Sequence, residues 1–136
     1  MLNLVSGLPR EALDWRPAAD AASLAGLALH ILDVEGYLAS LARGDEIAWA
    51  GENGSRMGET ATDAELVAAI GGVDAAIKHA FAAMDAERTT GDSRAVGAVI
   101  GEEIDHVSMH YGQMQLTRHL WEATHPESPS DYRHWR

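Results

Sequence analysis

The chain has 136 residues, enough for one domain with a sizeable core. Ten Lys and Arg stand against 21 Asp and Glu, a formal charge of −11 that repels nucleic-acid phosphate and anionic lipid. There is no cysteine, which excludes disulfides, thiolate zinc sites, iron–sulfur ligation and a thiol nucleophile supplied by the protein.

No apolar run approaches the ~18 residues of a membrane span, and Met1-Leu2-Asn3 opens no charged and apolar leader. A soluble cytoplasmic protein that binds neither nucleic acid nor membrane is the expectation. Alanine is abundant, β-branched residues are sparse and aromatics make up 6% of the chain, which favours helix over sheet.

The opening stretch, Met1–Asp20, has room only for short helical pieces around Pro9 and Pro17. The first long helix is predicted over Leu24–Arg43, with Ser23 as N-cap and Gly44 as the stop. Its apolar face carries Leu27, Val34, Tyr37, Leu38 and Leu41. Residues 44–62, rich in glycine and polar side chains, read as a linker or ordered loop. Thr62-Asp63-Ala64-Glu65 is a capping box that starts a second helix, expected over Asp63–Arg88. Leu66, Ile70, Val73, Ile77, Phe81 and Met84 form its stripe, read as core, and Gly71-Gly72 interrupts it at a cost of roughly 1 kcal/mol per glycine. After the turn signal Gly91-Asp92-Ser93 a third helix is predicted over Arg94–Ala123. Val96, Val99, Val107, Met114 and Trp121 mark its buried side. Residues 1–124 are expected to form one helical domain and 125–136 an extended or disordered tail.

Seven histidines punctuate this pattern. On helical wheels His30, His106 and His110 fall in the middle of apolar arcs, whereas His79 and His119 fall outside them and His125 and His134 belong to the tail. His106 and His110 are i and i+4, neighbours on one face. A lone inward histidine is usually a satisfied core residue; three need a shared reason, and a divalent metal supplies one by taking one nitrogen from each ring. His30 lies about 13 residues, or roughly 20 Å, from the end of its helix, and the His106/His110 midpoint lies about 14 residues, or roughly 21 Å, from the start of the third. The three rings share a level only if those two helices run antiparallel. The long linker and the short turn near 89–93 allow this, with the first two helices parallel and the third antiparallel to both.

Three nitrogen ligands and an open position describe a catalytic site better than a structural one, and Zn²⁺, Ni²⁺ and Fe²⁺ all accept imidazole. Glu102 and Glu103 flank the pair; Glu103 is the candidate catalytic acid/base, though acids near a helix start are also favoured by the dipole. Tyr37 and Gln113 are candidates to hydrogen-bond a bound ligand. A di-iron carboxylate site, suggested by Glu103-Ile104-Asp105-His106, lacks its second Glu-x-x-His unit.

Leu8-Pro9 with Leu13-Asp14-Trp15-Arg16-Pro17, then Ser23 and His30, resembles the entry of the DinB/YfiT-like superfamily. So does His106-Val107-Ser108-Met109-His110-Tyr111-Gly112-Gln113, followed by Leu116, Arg118 and Leu120. The resemblance spans about Leu8 to Trp121. It implies an all-α four-helix bundle with up-down-down-up connectivity and a divalent metal on His30, His106 and His110. It also implies an enzyme that transfers a low-molecular-weight thiol to an electrophilic small molecule, as in thiol S-transferases and thiol-dependent maleylpyruvate isomerases. The alternatives it leaves are a hydrolase using metal-bound hydroxide and a non-catalytic metal-binding or stress-associated protein. Relatives carry a long helix before the Leu-Pro element, whereas about seven residues precede Leu8 here, so the first helix is expected to be shortened. Apolar surface on Ala25, Leu29 and Leu32, and on Gly97, Gly101, Ile104, Ser108 and Tyr111, is then covered either by the short N-terminal pieces or by a second subunit; a homodimer is the expectation.

Overall fold

The computed structural model describes residues 1–45, 56–82, 84–85, 88–89 and 94–127. Among the described residues five helices follow one another: α1 (Leu2–Val5), α2 (Arg10–Asp14), α3 (Leu24–Arg43), α4 (Asp63–Ala82) and α5 (Val96–Thr124), with a 3₁₀ turn at Arg56–Gly58 between α3 and α4. Among the described residues the only extended pairing is an isolated bridge between Thr89 and Ala95.

The helix ends follow local chemistry. Ser23 Oγ accepts the Gly26 amide at 3.1 Å, and Gly44 stops α3 in the left-handed region, φ 90°. Glu65 Oε2 accepts the Thr62 amide at 2.8 Å while Thr62 Oγ1 accepts the Glu65 amide at 3.3 Å, a reciprocal capping box. The Thr62 amide, and the Thr62 hydroxyl that also donates to Glu65 Oε2 at 2.8 Å, hold the Glu65 carboxyl below its ordinary range. The end of α4 differs from expectation: the helix stops at Ala82, not Arg88. The chain leaves it early because Arg88 and Thr89 turn to meet the start of α5, where the Val96 amide donates to Arg88 O at 2.8 Å. For the same reason α5 begins at Val96 and not Arg94.

Helix α3 is the axis of the bundle. By length and composition it could cross a bilayer, but 78% of its apolar window is buried inside the protein. Leu24–Ile31 pack with Leu66 at the start of α4 and with Met114 and Trp121 toward the end of α5. Val34–Ala42 pack with Ala80 at the end of α4 and with Val96–Ile100 at the start of α5. Helices α3 and α4 are therefore parallel and α5 is antiparallel to both, as the histidine levels require. Helices α4 and α5 both lean on α3, and α1 touches both of them, so α1 stands at the corner opposite α3. The bundle has its up-down-down-up order with a first stroke of only four residues. Arg118, itself buried, donates to Leu4 O at 2.8 Å and ties α1 to the far end of α5.

The short fourth corner explains a correction. The α4 stripe is not all core. Leu66 is buried, but Ile70, Val73, Ile77 and Met84 are only half-buried and Phe81 is 40% exposed, since among the described residues only the short α1 packs on this side of the helix. A cavity of about 460 Å³ beside Met1, Leu2, Asn3, Ile70, Gly71 and Asp74 marks where α1 gives out. On the outer side of α5, Ile104, Met109, Leu116 and Leu120 are exposed. The second apolar side of α3, by contrast, is fully covered: Ala25, Leu29 and Leu32 are buried, and α2 and the 3₁₀ turn pack against this helix.

Two glycine sites make opposite predictions. A Cβ at Gly26 would overlap the Met57 carbonyl, whereas one at Gly71 meets nothing. Gly26→Ala should therefore destabilise strongly, and Gly71→Ala should stabilise by about 0.5–1 kcal/mol through helix propensity, read by urea unfolding. Because the Glu65 carboxyl is held down in the folded state, its contribution is complete above the ordinary carboxylate range and is lost as pH falls through its folded value. The melting temperature of Glu65→Gln should differ from that of the wild type at neutral pH and converge with it in acid.

Candidate metal centre

Helices α3 and α5 bring three imidazoles into one cluster. The ring centroids are 4.5 Å apart for His106 and His110, 4.7 Å for His30 and His110, and 5.3 Å for His30 and His106. One nitrogen from each lies within 4.8 Å of the others. His30 and His110 are buried at 8% and 6% exposure, while the His106 side chain is 32% exposed, so the cluster reaches solvent past His106. Among the remaining histidines, His79 and His119 are exposed and His125 stacks on Trp121. His134 lies outside the described residues.

The hydrogen bonds around the rings decide what the cluster is for. His106 Nδ1 sits 3.1 Å from Glu103 Oε2, and His110 Nδ1 sits 2.7 Å from Gln113 Oε1. Both oxygens are acceptors, so both Nδ1 atoms carry the hydrogen. A neutral ring has only one, which leaves lone pairs on both Nε2 atoms. Those atoms face each other at 2.8 Å. Two lone pairs at that distance repel unless a positive charge lies between them. The third member makes the same demand: His30 Nε2 is buried with no hydrogen-bond partner. Nitrogens around a tetrahedral ion with bonds of 2.0–2.1 Å stand about 3.3 Å apart, between the closest and widest spacings of this cluster. The donor set fits a divalent metal.

Electrostatics keep the third ligand available. Burial lowers the His30 pKa, the neighbouring His110 and His106 push it further down, and Asp33 and Glu103 only partly oppose this. The balance favours the neutral ring, the form that binds a metal.

The other candidates are distributed as follows. Glu103 joins the site through His106. Glu102 points elsewhere, accepting from Arg94 at 2.9 Å. Gln113 is engaged on His110. Tyr37 is half-buried against the cluster around Val34 and Leu38, two turns along α3 from His30. Sequence reading missed Asp33 and its partner Arg56, 3.3 Å away. Asp33 follows His30 by three residues and is one of two acids, with Glu35, on a mainly apolar helix; an acid one turn from an inward histidine was the available signal.

Residues 1–114 match the family described as the DinB superfamily, a span that includes all three histidines and Gln113. No curated protein and no solved structure matches the chain.

Metal analysis of the purified protein should give about one divalent ion per chain, and His110→Ala should abolish it. His30→Leu should also lose the ion. Because it removes a buried polar atom that has no partner, it should leave the metal-free protein at least as stable as the wild type, with a gain of about 1 kcal/mol measurable by denaturant unfolding.

Proposed function

Since the chain belongs to the DinB superfamily and gathers three histidines, we propose that it is a metal-dependent enzyme that transfers a low-molecular-weight thiol to an electrophilic small molecule. The observation that carries this reading is the donor set: three imidazole nitrogens from two helices, open to solvent on the His106 side. Such a set leaves coordination positions for an exchangeable ligand. A bound Zn²⁺, Ni²⁺ or Fe²⁺ would supply Lewis acidity that lowers the pKa of a coordinated thiol.

The chain has no cysteine, so the sulfur must come from outside. In the transfer the thiol gives up its proton. The sulfur lone pair forms a C–S bond to the electrophilic carbon, and the displaced electron pair leaves with the departing group or takes up a proton. Buried His30 and His110 provide a fixed wall, while half-exposed His106 and Glu103 mark the entry. Tyr37 is assigned to substrate contact. A second reading is hydrolysis with Glu103 as proton shuttle, favoured by the part-exposed carboxylate beside His106. The proposed setting is cytoplasmic, and a second copy of the chain is proposed to cover the exposed apolar residues of α4 and α5.

Titrating Co²⁺-substituted protein with a small thiol should produce a thiolate-to-cobalt charge-transfer band. No band, together with cleavage of esters or amides, would favour hydrolysis; no metal uptake at neutral pH would leave only a non-catalytic protein. Sedimentation should show a dimer, and a monomer at all concentrations would remove the second copy.

A further inference from the structure

We infer that Glu103 and Gln113 are positioning residues that clamp the two α5 histidines in the metal-binding tautomer. This rests on the metal reading of the histidine cluster and assigns how its affinity is set.

The sequence places the four residues symmetrically. Glu103 precedes His106 by three and Gln113 follows His110 by three, so each ring has an acceptor one helical turn away on its outer side. Glu103 Oε2 holds His106 Nδ1 at 3.1 Å from one direction, and Gln113 Oε1 holds His110 Nδ1 at 2.7 Å from the other. The outer grip turns both Nε2 atoms inward, where they meet at 2.8 Å and face the partnerless His30 Nε2. Neither ring can satisfy its acceptor while protonated only on Nε2. The pair therefore pre-selects the two lone pairs that a cation needs, before any cation arrives.

The acceptors are unlike. His110 is buried and held by a neutral carboxamide. His106 is the more exposed ring, freer to turn, and is held by a carboxylate, which also makes the ring a stronger donor. Glu103 should therefore matter for charge as well as orientation, and Gln113 for orientation.

The test uses Zn²⁺ as probe, with affinity read by chelator competition and ring protonation read by ¹⁵N NMR of the histidines. Glu103→Ala and Gln113→Leu should each weaken Zn²⁺ binding about 10- to 100-fold. Glu103→Gln, which keeps an acceptor, should recover much of the loss. Gln113→Glu should bind at least as tightly as the wild type, and serves if Gln113→Leu folds poorly. In wild-type protein loaded with Zn²⁺ both rings should carry hydrogen on Nδ1. Thermal unfolding of the metal-free variants should match the wild type, which separates clamping from a general packing defect. Unchanged Zn²⁺ affinity in Glu103→Ala and Gln113→Leu would overturn the inference while leaving the metal site intact, and for Glu103 would return the residue to proton transfer. Wild-type protein that takes up no Zn²⁺ would overturn the metal reading and the inference with it.

Discussion

The architecture of this protein turns on a convergence of imidazoles. Two ring nitrogens stand 2.8 Å apart on α5, and a third nitrogen, buried and without a hydrogen-bond partner, faces them from α3. A fold that only had to bury apolar surface would place leucines there. A buried polar atom without a partner costs about 1–3 kcal/mol, so His30 Nε2, set against two further imidazole nitrogens, calls for a compensating ligand. A bound cation would supply the compensation, and the antiparallel pairing of α3 and α5 is what would let one cation reach all three rings.

The rest of the bundle can be understood as support for that crossing. Helix α3 is covered on nearly every side, by α2 and the 3₁₀ turn at its start and by α4 and α5 along its length. The approach of the 3₁₀ turn is close enough that Gly26 has no space for a methyl group. His30 sits near the join between the two core clusters, so its backbone is fixed from both ends. The surface helices are less committed. Two residues of α4 are fully buried, and α5 shows large apolar side chains outward as well as inward. The densest packing surrounds His30 on α3, in keeping with the demand that a metal site be pre-organised by its scaffold.

Much of this was legible in the sequence, for local reasons. The bounds of α3 follow from a serine cap and a glycine stop that work through contacts within a few residues. The Thr62–Glu65 box is equally local. The division of the histidines into inward and outward sets needed only the helical period. What could not be read depended on distant segments. The end of α4 is set by pairing with the start of α5, and the half-exposure of its stripe by the shortness of α1, which no periodicity within α4 reveals. The roles of Glu102 and Glu103 differ although the residues are adjacent, because a 100° step along the helix turns one toward Arg94 and the other toward His106. Gln113, a candidate ligand contact by sequence, lies within hydrogen-bond distance of His110, a pairing that the i, i+3 spacing allows but does not specify.

The buried guanidinium of Arg118 has a consequence for the order in which the molecule forms. It bonds to the carbonyl of Leu4, 114 residues away, and also to the Glu122 carboxylate at 2.8 Å. During synthesis the Leu2–Val5 turn emerges well before its anchor. It cannot take its final place until Arg118 has left the ribosome, and it closes over a scaffold that α3 and α4 can begin to assemble without it. Such a long-range lock, made late, is expected to contribute more to the barrier against unfolding than to the speed of folding.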